Sequence, residues 1–252
     1  INSIIVDPNS PTTYYSGAPA GGIWKSINSG STWSPLSDDL PQIGVSGIAI
    51  DPSNSDIIYI ATGDDDAADS YSVGVMKSTN GGITWNPTGL NASNSPFSMN
   101  DIYIHPTETN ILWLATNKGV YKTINSGTTW TNINGLEGLN IKDIKIKPGN
   151  PNTIYAVTDK TFYISTNGGN LFSASGTGLP VSSGRLVIDV TPNNSKVVYV
   201  LSAANDYSFQ GLYKSVDSGA TFTEVATYTT VGVGDVFESK QAWYDMSLAV
   251  SD

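Results

Sequence analysis

Apolar and polar positions alternate in short runs along this chain, and the runs recur. One set ends in a proline: Ile4-Ile5-Val6-Asp7-Pro8, Ile48-Ala49-Ile50-Asp51-Pro52, Ile102-Tyr103-Ile104-His105-Pro106, Ile144-Lys145-Ile146-Lys147-Pro148 and Ile188-Asp189-Val190-Thr191-Pro192. Proline has no N–H and a fixed φ, so it ends a strand and opens a turn. A second set centres on an aromatic: Tyr14-Tyr15, Ile58-Tyr59-Ile60, Leu112-Trp113-Leu114, Ile154-Tyr155-Ala156 and Val198-Tyr199-Val200. A third reads Gly22-Ile23-Trp24-Lys25, Gly74-Val75-Met76-Lys77, Gly119-Val120-Tyr121-Lys122 and Gly211-Leu212-Tyr213-Lys214, with Thr161-Phe162-Tyr163-Ile164 as the departing copy. A fourth strand is expected from the Trp or Phe that follows. No helical period occurs, so each unit predicts four short strands.

Between the third and fourth strands lies a turn motif that recurs every 42 to 52 residues. Its copies are Ser26-Ile27-Asn28-Ser29-Gly30-Ser31-Thr32-Trp33, Ser78-Thr79-Asn80-Gly81-Gly82-Ile83-Thr84-Trp85, Thr123-Ile124-Asn125-Ser126-Gly127-Thr128-Thr129-Trp130, Ser165-Thr166-Asn167-Gly168-Gly169-Asn170-Leu171-Phe172 and Ser215-Val216-Asp217-Ser218-Gly219-Ala220-Thr221-Phe222. The Asn or Asp oxygen can accept backbone N–H bonds across the turn, and glycine supplies a positive φ. The structural set is then Asn28, Gly30 and Trp33; Asn80, Gly82 and Trp85; Asn125, Gly127 and Trp130; Asn167, Gly169 and Phe172; Asp217, Gly219 and Phe222. A fixed period of this size marks a repeat architecture. One four-stranded sheet cannot bury both faces, so radial stacking into an all-β propeller of four-stranded antiparallel blades is predicted.

Five complete blades are expected at about 2–36, 45–90, 99–135, 140–178 and 184–227. Residues from Trp243 read as the first strand of a sixth. The expectation is a single repeat domain over 1–252 that forms part of a larger propeller. The start at Ile1 reads as processed or excised.

Composition narrows the function classes. Net charge is -10, with twelve basic residues of which one, Arg185, is arginine. An acidic chain is a poor partner for nucleic acid or an anionic membrane surface. No stretch approaches the ~20 apolar residues of a membrane span, so no direct insertion is expected. With no cysteine, disulfides, thiolate metal sites and a cysteine nucleophile are excluded.

The Ser-x-Asp-x-Gly-x-Thr-Trp pattern resembles the Asp-box, or BNR repeat. With the Gly-apolar-aromatic-Lys strand and the Asp-Pro-x-Asn turn, it is most similar to the sortilin and glycoside hydrolase family 74 group, over residues 1 to about 227. Four copies carry Asn where the family has Asp, and only Asp217 keeps the acid. That resemblance implies a propeller, and secretion or surface attachment in a bacterium. Sialidases share the box but clamp their substrate with three arginines, which one Arg185 cannot supply.

Candidate chemistry falls on the irregular loops at the blade end opposite the turn motif: 63–73, 89–98, 177–184, 203–210 and 228–242. Asp64, Asp65, Asp66 and Asp69 place four carboxylates in six residues. They read as a solvated acidic loop, a calcium site or a source of a catalytic acid, since calcium takes clustered oxygen ligands. No other cofactor is expected. Asp38, Asp39, Asp206, Asp235 and Glu238 are further loop acids. Glycoside hydrolysis needs two carboxylates, and Asp65 with Asp206 is the candidate pair. His105 reads as a turn residue. Trp24, Trp33, Trp85, Trp113 and Trp130 read as blade packing, and Trp243 and Tyr244 as core rather than an exposed platform. The expected function is a non-catalytic binding or scaffold module on the irregular-loop face. Its partner would be an extracellular glycan or protein, or other domains of the same longer chain. A family 74-like hydrolase acting on a β-glucan such as xyloglucan is the alternative.

Overall fold

The computed structural model describes residues 2–40, 43–64, 70–91, 93, 98–226, 240–244 and 246–250. Twenty strands form five four-stranded antiparallel sheets, each in sequential order, and no helix occurs among the described residues. Accordingly none is long and apolar enough to cross a membrane. Blade one holds β1 (Ser3–Asp7), β2 (Ser10–Ala18), β3 (Gly22–Ser26) and β4 (Ser34–Pro35); blade two holds β5 (Val45–Ile50), β6 (Ile58–Thr62), β7 (Gly74–Ser78) and β8 (Asn86–Asn91). Blade three holds β9 (Met99–Ile104), β10 (Leu112–Thr116), β11 (Gly119–Thr123) and β12 (Thr131–Asn132). Blade four holds β13 (Asp143–Ile146), β14 (Ile154–Val157), β15 (Phe162–Ser165) and β16 (Ser173–Ser175); blade five holds β17 (Arg185–Val190), β18 (Val198–Ala203), β19 (Phe209–Ser215) and β20 (Thr223–Ala226). The fold is all-β and built of propeller blades. Each fourth strand starts one residue after the Trp or Phe of the turn, not at it.

The chain divides into two compact units, residues 1–132 and 133–252. In the first, one apolar cluster joins Tyr15 and Ile23 of blade one to Ile48, Ile50, Ile58, Ile60 and Met76 of blade two. A second joins Ala49, Tyr59, Ala61 and Val75 of blade two to Ile102, Leu112 and Leu114 of blade three. In the second unit, Tyr155, Val157 and Phe162 of blade four pack on Leu186, Ile188, Val198, Val200 and Tyr213 of blade five. Blade two therefore presents one apolar face to blade one and the other to blade three. This explains the near-continuous apolar runs on the second strands.

The turn motif is tied down in the same way in every copy. In the first, the Ser26 hydroxyl donates to Asn28 Oδ1 and accepts from the Asn28 and Gly30 amides. Asn28 Oδ1 also accepts from the Thr32 amide at 2.9 Å. The residue before the glycine then donates its N–H to a carbonyl near the start of the second strand: Ser29 to Thr12, Gly81 to Asp56, Ser126 to Asn110, Gly168 to Asn152 and Ser218 to Lys196. That residue sits at positive φ whether it is Gly or Ser. The proline turns use a side-chain acceptor at the residue before Pro. Asp7, Asp51 and Thr191 accept the N–H two residues on. His105 does the same through Nδ1, from the Thr107 and Glu108 amides, which puts its proton on Nε2.

Two expectations are corrected. Residues 240–244 and 246–250 form turns and irregular structure, with no strand. Trp24 is not packed between blades; it is exposed, with its indole N–H on the Gly21 carbonyl.

Candidate functional site

The irregular-loop end of blade five brings hydroxyl, amide, charged and aromatic side chains together. It is built from the start of β17, the loop joining β18 to β19, and the segment from Lys240. Deepest is a hydroxyl–amide network. The Ser183 and Ser202 hydroxyls lie 3.1 Å apart and both donate to Gln210 Oε1, at 3.0 and 2.8 Å, while Gln210 Nε2 reaches the Ser182 carbonyl. Ser183 and Ser202 are fully buried, so these polar groups need one another. They fix the ends of β17, β18 and β19 relative to the loop. Asn205 extends the network outward by donating to the Ser182 hydroxyl.

Above this floor the loop turns through Asp206 and Tyr207. Asp206 Oδ1 accepts from the Ser208 amide and hydroxyl, and Oδ2 accepts from Lys240 Nζ at 2.7 Å. Tyr207 adopts φ 64°, in the left-handed region that few residues with a Cβ occupy. Its carbonyl accepts the Ala242 amide, Ala242 is fully buried, and Arg185 donates to the Trp243 carbonyl. These contacts seat residues 240–244 on the blade and turn the side chains of Trp243 and Tyr244 outward, together with Tyr207. The Trp243 and Tyr244 rings meet edge-on at 4.2 Å. The expectation that Trp243 and Tyr244 are core is therefore overturned. Ala242 is the buried residue of that segment, and its small side chain leaves the two rings after it in solvent.

Asp206 is held well below the usual carboxylate range, first by the hydrogen bond from Lys240 and then by those from Ser208. The general acid of a glycosidase needs the opposite, a carboxyl kept protonated. Asp206 anchors Lys240 and caps its own turn, and its ionised state is the one a glycosidase's second carboxylate requires. Its candidate partner Asp65 lies outside the described residues, as do Asp66, Asp69, Asp235 and Glu238. Asp64 is described and buried. Its amide donates to the Ser70 carbonyl and its Oδ1 accepts from Asn2 Nδ2 at 3.3 Å. Among the described residues no group of three or more metal-ligating side chains occurs.

Sequence reasoning missed Arg185 and Lys240 as organisers of this surface, although a lone arginine at the edge of an irregular loop was a signal. It also missed a lysine ladder. Lys25 lies over Tyr15, Lys77 over Tyr59, Lys122 over Trp113 and Lys214 over Tyr199, at 5.1 to 5.6 Å from the ring centres. Each pair is directly cross-strand. Aligning the second-strand aromatic with the third-strand lysine would have found it.

The family profile described as "Sortilin, neurotensin receptor 3" matches residues 118–241, just under half of the chain. The xyloglucanase Xgh74A of Acetivibrio thermocellus is 30% identical over 149 residues, 52% of this chain and 17% of that protein. A xyloglucanase of a Paenibacillus species is 28% identical over 146 residues, 53% of this chain and 14% of its own length. The chain thus spans less than a fifth of these relatives. Among solved structures, an ancestral GH74 enzyme matches with TM-score 0.72 at 22% identity, over 89% of this chain and 31% of that one. The Niastella koreensis GH74 enzyme matches at 0.69 and 24%, over 89% and 36%. At such identities the structural likeness shows the fold alone. The chain's blades are thus similar in fold to family 74 propellers, and part of its sequence is similar to the sortilin profile and to xyloglucanases.

Proposed function

We propose that this chain is a non-catalytic, glycan-binding module of a secreted or cell-surface bacterial protein, with its ligand on the irregular-loop face of blade five. The observation that carries this reading is the exposed trio Tyr207, Trp243 and Tyr244, set on a hydrogen-bonded floor beside Asn205 and the Lys240–Asp206 pair. Aromatic faces pack on the C–H faces of sugar rings, while amide, ammonium and carboxylate groups match hydroxyls. The turn motif, read as an Asp-box, has a structural role in this scheme. Extracellular placement agrees with a chain of low charged content that resembles xyloglucanases.

Titration calorimetry with xyloglucan and cello-oligosaccharides tests the proposal. Binding is expected, and Trp243→Ala or Tyr244→Ala should weaken it at least tenfold with the unfolding temperature unchanged. Unaltered binding in both variants would sink the assignment of this surface, and capture of a peptide instead of any glycan would replace the ligand class. A second reading, a family 74-like hydrolase on a β-glucan, rests on the xyloglucanase relatives. Release of new reducing ends from xyloglucan, lost in Asp65→Asn or Asp206→Asn, would establish it over the binding module.

A further inference from the structure

Three Asn-Gly steps occur in this chain, at Asn80-Gly81, Asn134-Gly135 and Asn167-Gly168. Each carries a latent reaction. The glycine nitrogen can attack the carbonyl carbon of the asparagine side chain and close a five-membered ring. A residue without a Cβ hinders that intramolecular approach least. The fold treats the three steps differently.

At Asn80 and Asn167 both reacting groups are committed elsewhere. Asn80 Oδ1 accepts from the Ser78 hydroxyl and the Thr84 amide, and Asn80 Nδ2 donates to Thr84 Oγ1 at 2.9 Å. Asn167 Oδ1 accepts from the Ser165 hydroxyl and from the Asn170 and Leu171 amides. The attacking nitrogens, those of Gly81 and Gly168, donate to the Asp56 and Asn152 carbonyls. A peptide carbonyl accepts such a bond and is too weak a base to take the proton. Ring closure there would break the turn.

At Asn134 neither guard is present. Asn134 is exposed, and among the described residues no hydrogen bond holds its side-chain amide. The Gly135 N–H donates to a carboxylate, Glu137 Oε2, at 2.7 Å. A carboxylate at that distance can take the proton as the nitrogen attacks. Packing fixes the glycine itself: it holds φ 91°, and a Cβ there would lie 2.7 Å from the Phe172 carbonyl oxygen.

We propose that Asn134-Gly135 is a self-modification site, at which Glu137 acts as general base in converting Asn134 to an aspartyl or isoaspartyl residue. The Gly135 nitrogen bonds to Asn134 Cγ as its proton passes to Glu137. Glu137 returns that proton to the side-chain nitrogen, the Cγ–Nδ2 bond breaks, and ammonia leaves. Water then opens the cyclic imide at either carbonyl. The product sets a second carboxylate near Glu137, and the isoaspartyl form adds a methylene to the backbone beside the Asn134–Leu171 bridge. This inference is independent of the glycan reading.

The test incubates the folded chain at mildly alkaline pH and follows amide loss by peptide mapping. Cleavage at lysine and arginine places the three steps in separate fragments, 78–118, 123–142 and 161–185. Asn134 is expected to convert at least about tenfold faster than Asn80 or Asn167. Glu137→Gln keeps an oxygen for the Gly135 N–H but removes the base. It should slow Asn134 alone by a similar factor, with circular dichroism unchanged. In urea the three rates should converge, since each step is Asn-Gly. Conversion of Asn134 no faster than that of Asn80 and Asn167 overturns the proposal, as does an unchanged rate in Glu137→Gln. A gap that persists in urea also overturns it, because local sequence rather than the folded contact would then set the rate.

Discussion

Blades two and four are copies of one repeat that solve the same problems with different residues. Blade two has the full set: Gly74 at the start of the third strand, Lys77 over Tyr59, and a turn running Asn80 to Thr84 and Trp85. Blade four has Thr161, Ile164, Asn167, Leu171 and Phe172 at the same places. Both turns keep the serine–amide core. Ser165 donates to Asn167 Oδ1 and accepts from Gly169, as Ser78 does with Asn80 and Gly82. The difference separates what the blade geometry demands from what it tolerates. The hydroxyl is demanded because it satisfies a glycine N–H out of reach of water, and the side-chain carbonyl is kept because it caps the amides of the exposed turn. The threonine, the tryptophan and the lysine are tolerated losses.

Of these two blades only blade two demands the glycine, and its longer outer strand is the difference. In blade two β8 runs on to Asn91, opposite Gly74. Gly74 holds φ 98°, and a Cβ there would lie 2.2 Å from the Leu90 carbonyl oxygen. In blade four β16 ends at Ser175, opposite Phe162, so no outer strand faces Thr161.

The comparison can be broken most forcefully at that glycine. Gly74→Ala should destabilise the chain by about 3 kcal/mol or more, through backbone clash and strained φ, whereas Thr161→Ala should cost under about 0.5 kcal/mol. Urea titration of both variants checks this, and equal effects would refute the outer-strand explanation. Next in size, Ser78→Ala leaves the Gly82 and Asn80 amides without their acceptor and should cost about 2 kcal/mol. Ser165→Ala should cost the same, since this part of the turn does not differ between the blades. Smaller still, Lys77→Ile, which copies blade four, should cost about 0.5–1 kcal/mol, the value of a partly exposed cation–aromatic contact.

The smallest effect concerns pH and the one turn with an acid. The hydrogen bond from the Thr221 hydroxyl, with those from the Thr221 amide and Ser215, lowers the Asp217 carboxyl from 3.8 to about 2. A depressed carboxyl favours the folded state above its ordinary value and stops doing so as pH falls through the lowered one. Thermal unfolding at pH 4 and pH 2 should therefore show a small extra loss in the natural sequence. Asp217→Asn removes that part of the pH response, and an unchanged response in the variant would contradict the assignment.

The repeat made most of this fold legible. Strand order, blade count and turn chemistry follow from period two, from proline and from the Ser-x-Asn core, because each is a local backbone requirement. The surface of blade five was not legible, because exposure of Trp243 and Tyr244 is set by non-local contacts. Arg185 on β17 and Tyr207 in the next loop hold the Trp243 and Ala242 backbone, and neither is close to them in sequence.

The threonine at the end of the turn has a consequence for charge. Where the motif carries both Asn and Thr, the Asn amide donates to the threonine oxygen, as Asn28, Asn80 and Asn125 do to Thr32, Thr84 and Thr129. Where it carries Asp, the threonine hydroxyl rotates to donate, as Thr221 does to Asp217 Oδ2 at 2.6 Å. A single rotor thus lets the turn exist in neutral or anionic form without moving the backbone. Three acids in place of those three amides would add three negative charges to a chain already at -10, increasing its self-repulsion at low ionic strength. The hydroxyl rotor frees net charge to vary independently of the fold.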